Sequence, residues 1–341
     1  MIPRQSSLLS MCLLVVWAAV ALEPSRARGA EQLRAGIIGC DTSHVPAFTK
    51  LFNNSTDDEA ISGIKVVAAF PGGSEDIPSS INRVGKFTDQ LREMDVEIVD
   101  SIEALLQRVD VVLLESVDGR KHLEQVRPVF VAGKPVFIDK PFAGSLADAI
   151  EIVELSQKYK TPFFSSSALR YSPNIQATRK NEQIGEILGC AAYSPCALEP
   201  THPDLFWYGV HGVETLFTIM GPDCQQVTRT QTDGAELVTG VWKHGRIGTF
   251  RGIRKGKHDY GAVVFGSKSN HYVHGFGGYA PLVVQVAQFF KTSKPPIRPA
   301  ETLAMFAFME AADESKRQGG RPVTLESVLE KARAEVAARQ Q

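Results

Sequence analysis

Lys140 is the first residue whose type and position suit chemistry. It follows a short apolar segment, residues 135–138, whose composition predicts a buried parallel strand. A side chain just beyond the carboxyl end of such a strand points into the crevice where open α/β sheets bind ligands. An ammonium group there can donate a hydrogen bond to a ligand hydroxyl and stabilise negative charge that develops on oxygen. The alternative is a solvated lysine before the turn-forming Pro141.

His211 is the second candidate, because an imidazole with an ordinary pKa near neutrality suits proton transfer. The pattern of apolar residues predicts a helix over residues 206–220. Tyr208 and Glu214 stand three residues before and after His211, which puts them on the same helix face. The alternative is a histidine packed between this helix and a sheet.

The turn after the first predicted strand has the sequence Gly-Cys-Asp-Thr-Ser-His, from Gly39 to His44. Turns that bind dinucleotides have glycine at the first, third and sixth of these positions, so that the backbone approaches the pyrophosphate and the helix packs closely. Gly39 matches this pattern, whereas Asp41 and His44 do not. Asp41 adds negative charge where an anionic ligand would lie. Thr42 and Ser43 still offer hydroxyls and helix N-terminal amides to an anion.

Two other predicted strands end in residues that border the same crevice. Residues 64–70 are followed by Pro-Gly-Gly, where a dinucleotide-binding fold usually has an acidic residue for the ribose. Glu115 ends the strand predicted over residues 110–115, and Ser116 and His122 follow it.

The candidates are positioned by alternating strands and helices. Six apolar segments predict strands, at residues 33–39, 64–70, 96–99, 110–115, 135–138 and 162–166. Helices are predicted between most of them, with Ser101 and Ser145 as N-caps. This alternation predicts an N-terminal Rossmann-type fold, a doubly wound parallel sheet.

The pattern changes after about residue 180. Residues 184–194 and 225–275 contain several strand-like segments, and helices are predicted at the end of the chain, over 282–291, 301–318 and 325–339. A second α/β domain with an open, mainly antiparallel sheet is therefore expected. The predicted divisions are a signal peptide over residues 1–30, a Rossmann-like domain over 31–160, and a domain for substrate binding and oligomerisation over 161–341.

Two passages carry a family resemblance. One is Ala-Gly-Lys-Pro-Val-Phe-Ile-Asp-Lys-Pro, from Ala132 to Pro141, and the other is His-Gly-Val-Glu, which begins at His211. Together with the N-terminal strand, turn and helix, they resemble the glucose–fructose oxidoreductase and inositol dehydrogenase (Gfo/Idh/MocA) family. The resemblance covers essentially the whole chain beyond residue 30. It implies a Rossmann domain and an open-sheet domain, NAD or NADP as cofactor, and hydride transfer at a sugar or polyol carbon.

The resemblance also assigns residues. Asp139, Lys140 and Pro141 correspond to the family's Glu-Lys-Pro motif, which implies that Lys140 lies beside the nicotinamide and the reacting carbon. His211 corresponds to a histidine that many members use as acid and base. Trp207 stands four residues before it, where the family often has Asp. A proton relay would then use Asp204, seven residues before His211, in its place, or else Tyr208, Glu214 or water. The implied cofactor-binding residues are Gly39, Asp41, Thr42, Ser43, His44, Glu115, Ser116, His122, Lys140 and Pro141. The catalytic candidates are Lys140, His211, Tyr208 and Asp204.

Three functions remain open on the sequence alone. The first is an NAD(P)-dependent oxidoreductase acting on a sugar, polyol or cyclitol, with Lys140 and His211 as its polar and acid–base groups. The second is a cofactor-free sugar hydrolase or lyase, which the changes at Asp41 and His44 favour. The third is a carbohydrate-binding protein without catalysis. Because family members commonly pair through the open sheet face, a homo-oligomer is expected.

Composition excludes several classes of protein. The 341 residues are 22% charged and 43% hydrophobic, which excludes a disordered, collagen-like or coiled-coil chain. The 37 basic and 38 acidic residues form no basic stripe, so nucleic acid is not expected as a partner. The five cysteines form neither a disulfide scaffold nor a CxxC pair, although one bridge between Cys190 and Cys196 is conceivable. No metal site is predicted.

The first 30 residues predict export. Arg4 precedes an apolar run over residues 8–22, which is short for a membrane span and suits the core of a signal peptide. Small residues at 27–30 are compatible with a cleavage site. We therefore expect a periplasmic or secreted protein with no stable membrane span after cleavage. An uncleaved membrane anchor is the alternative.

Overall fold

A six-stranded parallel sheet forms the first half of the fold. The computed structural model describes residue 1, residues 32–54 and residues 58–340, so the predicted signal peptide lies outside the described residues apart from Met1. The strands are β1 (Leu33–Ile38), β2 (Ile64–Phe70), β3 (Glu97–Ile98), β4 (Val111–Leu114), β5 (Val136–Ile138) and β6 (Phe163–Ser165). Their order is β3-β2-β1-β4-β5-β6. The predicted doubly wound sheet is confirmed, and its strand order reverses between β1 and β4.

Five helices cover this sheet. They are α1 (His44–Asn54), α2 (Pro78–Arg92), α3 (Ile102–Leu106), α4 (Gly119–Val131) and α5 (Leu146–Tyr159). The two predicted caps are present, because Ser101 Oγ accepts a hydrogen bond from the amide of residue 104 at 3.0 Å and Ser145 Oγ accepts one from that of residue 148 at 3.0 Å. The sequence does not predict α2, whose N-cap Ile77 offers no side-chain hydrogen bond.

A seven-stranded sheet forms the second half. Its strands are β7 (Ile187–Pro195), β8 (Cys224–Gln231), β9 (Ala235–Trp242), β10 (Ile247–Ile253), β11 (Gly261–Gly266), β12 (Asn270–His274) and β13 (Val323–Thr324). They lie in the order β12-β11-β7-β10-β9-β8-β13. Of the neighbouring pairs, β7 with β10 is parallel and the others are antiparallel. The predicted open, mainly antiparallel sheet is therefore confirmed.

The remaining helices come from the second half of the chain. They are α6 (Pro173–Arg179), α7 (Val210–Met220), α8 (Ala280–Thr292), α9 (Pro299–Arg317) and α10 (Leu325–Arg339). Helix α7 is almost entirely buried against the inner face of the second sheet. Helix α8 instead joins the apolar core of the first sheet, where Phe289 packs on Phe164 with ring centroids 5.1 Å apart. Within the described residues, no helix has both the length and the apolar character needed to cross a membrane.

The outer face of the second sheet exposes large apolar side chains. Strand β9 alternates between buried and exposed positions, as expected when one face of a sheet is covered. The exposed apolar residues on this face are Leu237, Val241, Ile247, Phe265 and Tyr272. These residues define the outer sheet face, which is apolar enough to be an interaction surface.

The four described cysteines are free and buried. The conceivable bridge between Cys190 and Cys196 is therefore absent, because both residues belong to one extended segment that does not turn back on itself. Burial raises the pKa of the Cys190 thiol to about 12. Burial also raises the pKa of Cys224 to about 12, so little reactive thiolate exists at neutral pH.

We expect these thiols to be unreactive in the folded protein. A chain that begins at residue 31 should react with a thiol-specific chromogenic disulfide only slowly at mildly alkaline pH, and fully at all four described cysteines in guanidinium chloride. The release of chromophore measures both states. Rapid native labelling of even one equivalent would contradict the burial described here.

Candidate functional site

A cavity of about 370 Å³ lies at the carboxyl edge of the parallel sheet, where the second half of the chain covers it. Six of the predicted site residues line it, namely Thr42, Ser43, His44, Lys140, Tyr208 and His211. They come from the turn after β1, the end of β5 and the start of α7. Such a position, beside the point where the strand order reverses, is where open α/β folds bind ligands. We call this space the central cavity.

His44 is held by a buried carboxylate. Its Nδ1 lies 2.7 Å from Asp139 Oδ2, while Asp139 Oδ1 accepts a hydrogen bond from the Lys140 amide at 2.8 Å. Burial opposes ionisation of Asp139, but His44 and Lys140 outweigh burial and lower its pKa. An ionised Asp139 accepts the proton of Nδ1 and so fixes the orientation of the His44 ring. The sequence predicts this histidine as a cofactor-binding residue and, for a cofactor-free hydrolase or lyase, as part of the catalytic site, and the structure places its ring at the wall of the central cavity.

His211 is a neutral imidazole in this environment. Burial lowers its pKa well below the ordinary value, and the nearby Lys140 ammonium group lowers it further. Its Nδ1 lies 2.8 Å from Ser167 Oγ, and its ring meets the Tyr208 ring edge-on at 4.9 Å. The shared helix face of Tyr208 and His211 is thus as predicted. A neutral His211 can accept a proton from a bound hydroxyl.

Two other predicted relay residues face elsewhere. Asp204 Oδ2 accepts hydrogen bonds from Arg229 at 2.9 Å and from Lys316 at 2.6 Å, so Asp204 belongs to a separate ionic cluster. The chain between Asp204 and His211 forms a π-helical turn, Leu205–Gly209, whose wider turn changes which residues share a face. Glu214 is paired with Arg170, a buried neighbour, and does not line the central cavity.

Asp41 is turned away from the central cavity. Its Oδ1 accepts a hydrogen bond from the Val117 amide at 2.9 Å, and its Oδ2 accepts one from Ser80 Oγ at 2.6 Å. Asp41 therefore joins the turn after β1 to the segment after β4 and to helix α2. Burial raises its pKa, although these hydrogen bonds act in the opposite direction. The Asp41 carboxylate, which stands at the second glycine position of the family pattern, is therefore hydrogen-bonded by donors of the protein itself.

Asp118 makes a second buried connection beside Asp41. Its carboxylate accepts hydrogen bonds from Ser74 Oγ at 2.6 Å and from Arg120, and His202 Nε2 lies 3.2 Å away. Ser74 comes from the segment after β2, and His202 precedes α7 in the second half. Burial opposes ionisation of Asp118, but these partners outweigh it and hold its pKa well below its usual range.

The remaining predicted cofactor residues support the edge without lining the central cavity. Gly39 has φ of +89°, and a Cβ there would lie 2.3 Å from Ser116 Oγ, so only glycine fits. Ser116 Oγ donates to Gln125 Oε1 at 2.8 Å. The buried His122 ring lies between the carbonyl oxygens of Ser116, at 2.8 Å, and Phe142, at 3.2 Å. Pro141 follows Lys140 through a cis peptide bond.

Glu115 has no hydrogen-bond partner among the described residues. Both carboxylate oxygens are buried at the end of β4, and burial together with Asp139 raises its pKa well above the ordinary value. Lys140 acts in the opposite direction. An unpartnered buried carboxyl group is costly unless it is protonated or meets a cation.

Sequence reasoning missed several residues of the central cavity. Ser79 and Arg83 come from the unpredicted helix α2 and add a positive charge to the wall. Tyr279 packs edge-on against His44 at 4.7 Å, and the Tyr260 hydroxyl lies 3.1 Å from that of Tyr208. No local pattern marks these two tyrosines, because they reach the site from distant parts of the chain. They give it the aromatic surface that a sugar or cyclitol ring prefers.

A second cavity of about 880 Å³ lies at the ends of β2 and β3. It includes Gly72, Gly73, Ser101 and Gln125. We call this space the outer cavity. In a doubly wound fold the adenosine half of a dinucleotide occupies this side of the strand-order reversal.

Comparison with known proteins identifies the first half of the chain. Residues 33–166 match the family model described as "Oxidoreductase family, NAD-binding Rossmann fold", the Gfo/Idh/MocA family. This segment is a Rossmann domain of that family. It runs from β1 to just beyond β6 and includes Asp139, Lys140 and Pro141, whose correspondence to the family motif stays a prediction. No curated protein matches the sequence.

Solved structures share the fold of almost the whole described chain. A scyllo-inositol dehydrogenase from Lactobacillus casei, with bound NAD(H) and scyllo-inositol, has a TM-score of 0.70 at 14% identity over 86% of this chain and 99% of that one. An oxidoreductase from Agrobacterium radiobacter, in complex with NAD+, L-tartaric acid and magnesium, has 0.68 at 16% identity over 87% and 99%. An oxidoreductase from Thermotoga maritima has 0.70 at 17% identity over 87% and 99%.

Most of the residues at this edge can accommodate the nicotinamide dinucleotide that the family binds. The two cavities and the close turn at Gly39 fit its two halves. Asp41 stands where the glycine pattern leaves room for the pyrophosphate. A neighbouring pyrophosphate would raise the pKa of this buried carboxyl group further, so the bound anion would meet a neutral group. On this basis the dinucleotide fits, at a cost in affinity.

Replacing Asp118 should make the protein less stable and less sensitive to acid. Because its pKa is lowered on folding, ionised Asp118 stabilises the fold above the unfolded pKa, and this contribution is lost as pH falls through the folded pKa. We expect Asp118→Asn to cost about 3 kcal/mol at neutral pH, since His202 and Arg120 lose a buried partner. Urea unfolding across acidic to neutral pH measures both effects. Asp76→Asn, at the exposed partner of Arg120, is the matched control and should change little.

Proposed function

We propose that the protein is an NAD(P)-dependent oxidoreductase that transfers a hydride at a carbon of a sugar, polyol or cyclitol. The observation that carries this proposal is the convergence of Lys140, His44 and His211 in the central cavity of a Rossmann fold. The polyol or cyclitol class is supported by the structural likeness to an inositol dehydrogenase. The aromatic wall made by Tyr208, Tyr260 and Tyr279 also suits a ring substrate.

Different side chains would have different roles in the oxidation of an alcohol. Lys140 donates a hydrogen bond to the reacting hydroxyl and stabilises the negative charge that develops on its oxygen. His211, neutral because burial lowers its pKa, accepts the hydroxyl proton. The nicotinamide, when bound, supplies the hydride acceptor. Tyr208 positions His211 through their edge-on contact.

Other residues hold the cofactor. The amides at the start of α1, together with the hydroxyls of Thr42 and Ser43, would bind the pyrophosphate. The outer cavity, with Gly72 and Ser101, would take the adenosine. The segment after β2 has no acidic residue at the usual ribose position, so the choice between NAD and NADP stays open.

Lys140 and His211 should be needed for turnover rather than for cofactor binding. We expect Lys140→Met and His211→Gln each to lower kcat by about 100-fold or more, because each removes a group that acts on the reacting oxygen. Affinity for the dinucleotide should change by only a few fold. Single-turnover hydride transfer, followed by nicotinamide absorbance during a screen of sugars and cyclitols, measures the first effect. Equal turnover by the variants would contradict these roles.

Asp41 should weaken dinucleotide binding. We expect Asp41→Gly to raise the affinity for NAD+ or NADP+ about tenfold or more, because it removes a carboxyl group from the pyrophosphate path. Asp41→Asn should fall between the two, since it removes the charge but keeps the volume. Calorimetric titration of the original protein and the two variants with NAD+ and with NADP+ measures the three affinities. An Asp41→Gly variant that binds no better would show that the pyrophosphate does not pass residue 41.

A cofactor-free sugar hydrolase or lyase is the second candidate. The observation that favours it is the closed hydrogen bonding of Asp41 with Val117 and Ser80, beside an oriented His44. A cofactor-free enzyme would use His44 as its base. Mass spectrometry of the ligand released on denaturation, with titration of NAD+ and NADP+, separates the two. Failure to bind either dinucleotide at millimolar concentration would favour this candidate over the oxidoreductase.

We also propose that the protein is a homo-oligomer that pairs through the outer sheet face. The exposed apolar residues there support this arrangement. Export through the predicted signal peptide is a further proposal, which rests on the composition of residues 1–30.

Charge on the outer sheet face should dissociate the oligomer. We expect the double variant Ile247→Glu and Tyr272→Glu to sediment as a monomer, because both side chains are more than half exposed on this face. Val131→Glu, at an equally exposed apolar residue on α4, is the matched control and should keep the oligomer. Sedimentation velocity measures the states. Dissociation by the control alone would move the interface to the first half of the fold.

A further inference from the structure

We propose that His44, Glu115 and Asp139 bind a divalent transition-metal ion behind the wall of the central cavity to which His44 belongs. The proposal goes beyond the oxidoreductase function and does not depend on hydride transfer. It rests on the placement of three ligand atoms and on the unpartnered carboxylate of Glu115.

The sheet brings these three residues together. Glu115 follows β4, Asp139 follows the neighbouring strand β5, and His44 opens α1 after the neighbouring strand β1. One ligand atom from each lies within 4.8 Å of the others, and all three residues are buried. The carboxyl ends of adjacent parallel strands thus supply one imidazole nitrogen and two carboxylate oxygens at a single point. Because the three residues are far apart in the sequence, no local motif indicates that they form a set.

The charges at this point call for a cation. Both oxygens of Glu115 are buried without a hydrogen-bond partner among the described residues. Asp139 places a second carboxylate beside them, while Lys140 is the adjacent ammonium group. A divalent ion would give Glu115 the partner that it lacks and would offset both carboxylates. Protonation of Glu115 is the competing solution, and the experiment below separates the two.

The donor set selects the class of metal. One imidazole and two carboxylates suit Zn²⁺, Mn²⁺ or Fe²⁺ better than Mg²⁺ or Ca²⁺, which prefer oxygen ligands alone. Three protein ligands leave a coordination position open, as in catalytic rather than structural zinc sites. Since His44 lines the central cavity, we expect that position to be reached from the cavity. A substrate hydroxyl or carboxylate oxygen is the ligand it would take.

Metal entry replaces one hydrogen bond. His44 Nδ1 now shares its proton with Asp139 Oδ2 at 2.7 Å. On binding, the proton leaves for solvent, the nitrogen and carboxylate each donate a lone pair to the ion, and no electron is transferred. The step therefore releases a proton, as metal binding to imidazole sites generally does.

The test is metal binding by a chain that begins at residue 31. The protein is stripped with a chelator, titrated separately with Zn²⁺, Mn²⁺ and Mg²⁺ in a calorimeter, and analysed for metal by mass spectrometry after gel filtration. We expect about one Zn²⁺ or Mn²⁺ per chain and at least tenfold weaker binding of Mg²⁺. Glu115→Gln and His44→Gln should each weaken binding by 100-fold or more. Circular dichroism and thermal unfolding of each variant confirm that it is folded.

Asp313→Asn is the matched control, because Asp313 is a buried carboxyl group in the second half of the fold that lies outside the three-residue set. Its metal binding should equal that of the unmodified chain. A stripped protein that binds no ion overturns the proposal, as does equal binding by Glu115→Gln. A metal-free protein whose Glu115→Gln variant is as stable as the original would assign Glu115 as a protonated acid. Titration with NAD+ or NADP+ is read separately, so failure of the metal site leaves the oxidoreductase proposal intact.

Discussion

Negative charge buried at the carboxyl edge of the parallel sheet is the constraint on which this structure depends. Asp41, Glu115, Asp118 and Asp139 all lie there, and each is fully buried. Burying a carboxylate is costly unless donors or cations surround it. Donor groups from several parts of the chain surround this edge and offset the cost for three of the four carboxyl groups.

The donor groups come from different parts of the chain. Helix α2 provides a hydroxyl for Asp41, and the segment before α7 provides His202 for Asp118. His44 binds Asp139, which orients the imidazole toward the central cavity. The same interactions that balance the buried charge therefore position the groups that face the ligand. Glu115 is the exception, because no described residue donates a hydrogen bond to its carboxyl group.

Sequence alone predicts the parts of this protein that have a local cause. The strands of the parallel sheet follow from short apolar segments, and Ser101 and Ser145 mark helix starts through their own hydrogen bonds. The cavity residues at the ends of β1 and β5 follow from topology, because parallel strands bring their carboxyl ends to one edge. What sequence does not predict depends on non-local contacts. Helix α2 lacks a capping signal, and the π-helical turn before α7 removes Asp204 from the face of His211.

The packing of α8 on the first sheet has a consequence for how the chain can be divided. Phe289 and its apolar neighbours complete the core beneath β6, and Tyr279, just before α8, closes over His44. A fragment that ends after β6 would expose this apolar surface and lose a wall of the cavity. We therefore expect that residues 33–166 do not form an independent folding unit without α8. A chimera that exchanges second halves between relatives would have to keep residues 276–292 with the first half.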